Sequence, residues 1–449
     1  MINSLGKIDN PANVISALRD SNMAHCVHLE IDHIQHYFSG DELAIGVLCY
    51  VDENSFRATM SSDIESLQEA VAEQPNVSPR ESYENLLLRL ALPDIDLAAP
   101  MELDRIHIPK PWGQEIWYTG IEERGVCGIQ TIPLPWLLDV FGALLAGTND
   151  LTPILLKVLD PLPDEVYGDL YFELHNEKRE VYVVTHVDSR AWPDSVGKIR
   201  YGFSQAKISE YADAQIFKQA YLEAVEAYHQ VRKQIDGRLD RLRSKHQVSK
   251  NDIVPVATRK QWQKEIDPHL LRREELLRKA MNSFSALRDL HPGDVVQVHP
   301  HTPHSLQHGV RVVEFQTPHY ERYILSFAQK VVTQDHWDTE KALDQVQLDE
   351  ADHAEMEITD ASASNLESII ADFDEFTATR ILLKPGMNWT LNAESYCLVI
   401  GVLGTAMIGS RPMQPEDGYY ISVPSLPVSI CNNGSVAATF LVARPKISQ

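Results

Sequence analysis

From Arg105 onward the chain is written in short apolar runs broken by Pro and Gly, as in Pro109-Lys110-Pro111-Trp112-Gly113 and Pro153-Ile154-Leu155-Leu156-Lys157-Val158-Leu159-Asp160. Runs this short, closed by turn-forming residues, predict strands rather than helices, and a succession of them predicts an all-β barrel or sandwich. The texture breaks off between about 205 and 290. There Phe217, Tyr221, Val225, Tyr228, Val231 and Ile235 recur at three- and four-residue steps, which places them on one stripe of a helix. A second helix is expected after Asp267-Pro268, an N-cap and N1 pair, with Leu270, Leu277, Met281, Phe284 and Leu287 on its buried face. Strand texture resumes at His291-Pro292-Gly293-Asp294-Val295-Val296 and returns beyond residue 376, for example at Cys397-Leu398-Val399-Ile400 and Thr439-Phe440-Leu441-Val442.

Between these β stretches, residues 342–379 hold 11 Asp or Glu and no Lys or Arg, which predicts a solvated linker with at most a short helix. Residues 1–104 read as a small α+β extension. Glu42 to Val51 is strand-like, and Ser78-Pro79-Arg80-Glu81, with Ser at N-cap, Pro at N1 and Glu at N3, starts a helix just before Leu86-Leu87-Leu88.

Charge narrows the class of partner. With 40 Lys+Arg against 64 Asp+Glu the net charge is -24, which repels nucleic acid and anionic membranes, whose binders cluster positive charge. An anionic small molecule needs only a few convergent cations and remains compatible. Cys26, Cys49, Cys127, Cys397 and Cys431 stand singly and read as reduced, mostly buried thiols. The first residues lack a basic stretch followed by an apolar one, and no apolar run approaches the roughly 18 residues that span a bilayer, so a cytoplasmic location is expected.

Chemistry concentrates in Phe172-Glu173-Leu174-His175-Asn176-Glu177-Lys178-Arg179-Glu180-Val181-Tyr182-Val183. If Asn176-Glu177 is a hairpin loop, His175 pairs with Lys178 and Glu173 with Glu180, and all four project from one face while Phe172, Leu174, Val181 and Val183 project from the other. Burying so many ionisable groups is costly unless something neutralises them, and a divalent cation would do so. Imidazole and carboxylate suit Zn²⁺, Mn²⁺ or Fe²⁺. An exposed amphipathic hairpin with a cross-strand Lys–Glu pair fits the same residues. A second cluster, Val298-His299-Pro300-His301-Thr302-Pro303-His304, ends a strand. From it His304 could supply a further ligand, with His299 and His301 as rim residues.

Taken in order, Lys110-Pro111-Trp112-Gly113, Pro153 to Asp160, the Glu173/His175 and Lys178/Glu180 stretch, Pro292-Gly293-Asp294, Thr302-Pro303-His304, and Glu314-Phe315-Gln316 followed by Arg322 resemble the type I mannose-6-phosphate isomerase family over roughly residues 105–345. The resemblance implies a mainly β chain with two cupin (double-stranded β-helix, jelly-roll-like) barrels. Residues 105–204 and 291–345 would form a metal-binding cupin barrel, 205–290 a helical insertion, 346–375 an acidic linker and 376–449 a metal-free barrel. It implies a metal site of Glu173, His175, Glu180 and His304 holding Zn²⁺, or alternatively Mn²⁺ or Fe²⁺. Glu314 would take part in proton transfer, and Lys178 and Arg322 would line the pocket. The implied reaction is aldose–ketose interconversion of a sugar phosphate, most simply mannose 6-phosphate to fructose 6-phosphate. Two departures stand out: Glu173 occupies the family's Gln position, giving the site two carboxylates, and Lys330 is the nearest lysine after Arg322 for a phosphate. A cupin oxygenase using Fe²⁺ and a non-catalytic sugar-binding cupin are the competing readings of the same ligand set.

Overall fold

The computed structural model describes residues 2–21, 23–34, 41–249, 252–331, 334, 336–350, 357–361 and 365–447. The chain is mainly β and divides into two compact units, one of residues 1–106, 117–156 and 356–449, the other of 107–116 and 157–355. Residues 117–156, expected with the metal-binding barrel, thus group with the two chain ends. Among the described residues no helix is long and apolar enough to cross a membrane.

In the first unit a five-stranded sheet runs in the order Ile2–Lys7, His25–Ile34, Glu42–Val51, Phe56–Ser61, Ile95–Asp96. Helix Pro79–Leu90 starts as its sequence prescribes, with the Ser78 side chain accepting from the Glu81 N–H at 3.3 Å. Leu86 and Leu87 pack with Cys26, Leu48 and Tyr50, while Leu88 points outward at 82% exposure. The C-terminal part supplies six strands of a seven-stranded sheet, whose edge strand is Met101–Glu102, and a four-stranded sheet, joined by an apolar cluster that includes Ile381, Val399, Ile408, Ile430 and Phe440. Four of the five cysteines are buried and all are free.

The acidic stretch departs from the expected linker. After helix Thr339–Gln345, strands Glu357–Ala361 and Asn365–Asp372 pair with each other, and the latter also pairs with Phe376–Leu383. Ile370, Ala371 and Phe373 are buried and Asp372 is exposed. A strand needs only one apolar face, so a high acid count does not prevent pairing. Residues 351–356 and 362–364 of the expected linker lie outside the described residues.

The second unit is built on two sheets. One runs Val295–Val298, Glu180–Val187, Val310–Gln316, Leu155–Pro161, Gly113–Trp117, Ile106–Lys110; the other runs Ser285–Leu290, Gly197–Phe203, His304–Leu306, Phe172–Leu174, Tyr323–Ser326. Val184, Val296, Val310 and Val312 of the first share an apolar cluster with Ile199, Leu290, Leu306 and Ile324 of the second, so the sheets face one another.

The 32-residue helix Ala214–Lys245 buries Phe217, Tyr221, Val225, Tyr228, Val231 and Ile235, the stripe read from the sequence. Phe217, Tyr221, Val225 and Tyr228 cluster with Phe172, Leu174, Phe203 and Leu325, covering the outer face of the five-stranded sheet. Helix Pro268–Asn282 begins at the expected Asp267 cap but ends at Ser283. Phe284 and Leu287 therefore do not belong to it. Leu287 lies in strand Ser285–Leu290, which pairs with Gly197–Phe203, and is 49% exposed. The helical excursion leaves one strand and returns beside it, a pairing that the helical spacing of those leucines concealed.

Candidate metal centre

Strand register decides which side chains face inward. Glu173 lies opposite His304, and His304 opposite Tyr201, a residue of the core between the two sheets. Opposed residues share a face, so Glu173 and His304 point into the same interior. In the other sheet Glu180 lies opposite Val298 and Gln316, and Tyr182 opposite Glu314. Val298 and Tyr182 belong to that core, so Glu180, Glu314 and Gln316 point inward as well.

The hairpin expected at Asn176-Glu177 does not form. Phe172–Leu174 and Glu180–Val187 sit in different sheets, and residues 175–179 carry the chain from one to the other. A tight two-residue hairpin wants positive φ, usually supplied by Gly, and neither Asn176 nor Glu177 adopts it. Their amides instead donate to Glu321 Oε1 at 2.6 and 2.8 Å, which pins the corner. The four ionisable groups still converge, through opposite walls of the interior rather than one face of a ribbon.

Both histidines are oriented by backbone. His175 Nδ1 lies 2.9 Å from the Glu321 carbonyl and His304 Nδ1 3.0 Å from the Thr302 carbonyl. A carbonyl can only accept, so each Nδ1 carries the proton and each Nε2 offers a lone pair to the interior, as in a metal-binding histidine whose other ring nitrogen donates to a backbone carbonyl. His175 Nε2 lies 4.0 Å from Glu173 Oε1 and 3.6 Å from Glu180 Oε1, and His304 Nε2 lies 3.2 Å from Glu180 Oε2. Ligand atoms of Glu173, His175 and His304 all fall within 4.8 Å of one another. His175 Nε2 and Glu173 Oε2 are buried without a hydrogen-bond partner among the described residues. An imidazole lone pair facing a carboxylate at 3.2 Å is repulsive unless a proton or metal cation lies between them. The donor set therefore fits a borderline divalent ion.

Glu180 is the most heavily engaged member. Its Oε1 pairs with Lys178 Nζ at 2.6 Å and its Oε2 accepts from Tyr182 Oη at 2.6 Å. Burial opposes its charge, but the Lys178 ammonium outweighs that and holds the carboxyl well below the usual carboxylate range. Burial drives His175 far below the ordinary imidazole value, with Lys178 adding to the effect, which keeps its lone pair free. Burial likewise raises Glu314 to about 8, Glu180 adding to the rise while Lys157 and Lys178 oppose it. Burial disfavours the charge of Arg322, yet Glu173 and Tyr171 hold its basicity up; its guanidinium lies 4.6 Å over the Tyr171 ring.

Three contributors went unseen in the sequence. Lys157 interrupts an apolar strand and donates to Gln316 Oε1 at 2.6 Å inside the interior. Its placement two residues before the inward Leu159 was the available signal. Tyr182 shares a face with Glu180 for the same reason. Glu321 acts through a backbone carbonyl and a corner, which no residue pattern announces. His301 donates its backbone N–H to the His175 carbonyl at 2.7 Å from a left-handed conformation (φ 65°), and neither it nor His299 belongs to the ligand-atom group. Lys330 is bound to both carboxylate oxygens of Asp240 at 2.8 Å.

No family model matches the chain, and no curated protein matches its sequence. Among solved structures it is similar to the mannose 6-phosphate isomerase of Bacillus subtilis, with TM-score 0.53 and 13% identity, covering 77% of this chain and 99% of that one. It is similar also to the apo form of mannose 6-phosphate isomerase from Salmonella typhimurium, with TM-score 0.52 and 13% identity, covering 78% of this chain and 100% of the other. At that identity the likeness is one of fold.

Proposed function

We propose that the chain is a metal-dependent aldose–ketose isomerase of sugar phosphates, with mannose 6-phosphate and fructose 6-phosphate as the first pair to test. The observation that carries this reading is the convergence of Glu173, His175, Glu180 and His304, with the lone pairs of His175 Nε2 and Glu173 Oε2 unclaimed, beside a buried carboxyl and buried cations. The likeness of fold to two mannose 6-phosphate isomerases supports it. On this reading each of the two facing-sheet assemblies is a cupin barrel, only the one in the second unit binds metal, and the enzyme works in the cytoplasm.

Glu173, His175, Glu180 and His304 would hold the divalent ion, Zn²⁺ or alternatively Mn²⁺ or Fe²⁺, which when bound polarises the carbonyl and adjacent hydroxyl of the substrate. Glu314 takes the proton from C2 and returns it to C1, while the hydroxyl proton moves from the C2 oxygen to the C1 oxygen, so the interconversion balances without an outside reductant. Lys178 and Arg322 stabilise the negative charge that develops on oxygen between the two transfers. Tyr182 and Lys157 orient Glu180 and Gln316.

The test is coupled conversion of mannose 6-phosphate, alongside other aldose and ketose phosphates, by protein of known metal content. Turnover that disappears with EDTA and returns with Zn²⁺ or Mn²⁺ is expected. Metal-loaded protein that turns over none of these substrates rules the isomerase out; oxygen consumption with Fe²⁺ would identify the oxygenase alternative.

A further inference from the structure

A second cavity lies within the second unit, between the long helix Ala214–Lys245, helix Val256–Gln263 and the segments around Tyr167 and Gln329, and it shares no lining residue with the metal centre. Its charges are unequally matched. Arg232 is paired with Asp236 at 2.6 Å and Lys330 with Asp240 at 2.8 Å, and the Asp252 carboxylate accepts from the Ser249 N–H at 3.2 Å. The lining carries four cations, Arg232, Arg243, Arg259 and Lys330, against three carboxylates, a surplus of one positive charge, and Arg243 and Arg259 stand outside these two ion pairs. Among the described residues Arg243 donates to the carbonyls of Ser249 and Asp252, at 2.9 and 2.7 Å. Arg259 donates to the Pro111 carbonyl at 3.1 Å and to Gln329 Oε1 and lies 4.8 Å over the Tyr167 ring, with its Nε buried and without a hydrogen-bond partner among the described residues.

Neither arginine forms an ion pair with a carboxylate among the described residues. Burial holds the Arg259 guanidinium below its usual basicity, and the charge of Arg243 adds to that, so the two cations repel across a partly desolvated space. Two neighbouring guanidiniums with spare donors match the oxygens of a carboxylate or phosphate. Val166, Leu239, Val254 and Trp262 supply apolar wall, beside the polar side chain of Gln263. The cavity has a volume of about 60 Å³, room for an oxyanion carrying one or two carbons and too small for an aromatic ring.

We propose that this cavity binds a small organic oxyanion, a carboxylate or phosphate monoester carrying one compact apolar group, with Arg243 and Arg259 on the oxyanion and Trp262 and Leu239 against the apolar part. The site is separate from the proposed isomerase centre and does not depend on it.

Calorimetric titration of the full metal-loaded chain with ethyl phosphate, propionate, inorganic phosphate and formate tests the idea. At least one of the ethyl-bearing anions is expected to bind one per chain, about tenfold tighter than its simple counterpart, as burial of two carbons predicts; which of them does so tells phosphate ester from carboxylate. Arg259→Gln and Arg243→Gln should each weaken that binding about tenfold or more, as expected for losing a charge-assisted hydrogen bond, while metal content per chain stays unchanged. Ethyl phosphate and propionate that bind no tighter than the simple ions, or variants that bind as tightly as the parent, overturn the proposal. If Arg259→Gln does not fold, Arg243→Gln and Trp262→Leu carry the same test.

Discussion

Lys178→Met separates a metal site from a merely structural ion pair. Lys178 Nζ lies 2.6 Å from Glu180 Oε1, with side-chain exposures of 10% and 2%. Removing one partner of a buried pair costs about 3–5 kcal/mol, because the other charge is left uncompensated, and methionine keeps much of the packing of the lysine stem. A divalent ion on Glu180 would restore the missing positive charge. The penalty should therefore fall chiefly on metal-free protein: about 3–5 kcal/mol in EDTA and roughly 2 kcal/mol less with excess Zn²⁺. The same roughly 2 kcal/mol must reappear as metal affinity, about 30-fold tighter in the variant. Urea unfolding with and without Zn²⁺ measures the first quantity, and competition with a chromogenic chelator measures the second. Equal destabilisation in both conditions, with unchanged Zn²⁺ affinity, would refute the reasoning, since no cation would then be sharing Glu180 with Lys178.

His175→Ala and His304→Ala should each lower metal affinity by about 100-fold or more, beyond what loss of a supporting partner costs; elemental analysis after dialysis reads the loss, and full retention of metal by either variant contradicts the assignment. Glu321→Ala frees the amides of Asn176 and Glu177 and should weaken metal binding about tenfold through misplacement of His175, again read by chelator competition. Phe217→Ala removes a fully buried ring from the cluster between the long helix and the five-stranded sheet; a loss of about 3–5 kcal/mol is expected in urea unfolding. At Gly168 an added Cβ would stand 1.8 Å from the Leu162 carbonyl oxygen, so Gly168→Ala should force backbone displacement and lower the thermal midpoint, as calorimetry would show.

What could be read without coordinates was whatever repeats over a few residues. The stripe from Phe217 to Ile235 is a helix because its spacing matches one helical turn, and all six residues are buried. Ser78-Pro79 starts a helix because a hydroxyl and a ring without an N–H suit that position. Parity along the strands likewise told that Glu173 opposes the facing of Phe172 and Leu174. Composition misled where it was used in place of parity: the acid-rich 365–372 segment is a strand because its buried side chains, not its acids, decide pairing.

Tertiary structure decided the partners. Nothing local to 172–187 says that its two strands join different sheets, since an isolated hairpin would satisfy the same alternation; the choice rests on pairing with residues more than a hundred positions away, at 295–298, 304–306, 310–316 and 323–326. Only that long-range register sets His304 against Glu173 and Glu314 against Tyr182, and turns the Glu321 carbonyl toward His175. Residue type supplied the chemistry in advance because a side chain carries its donors wherever it goes. Their meeting point depends on how two whole sheets close over one interior.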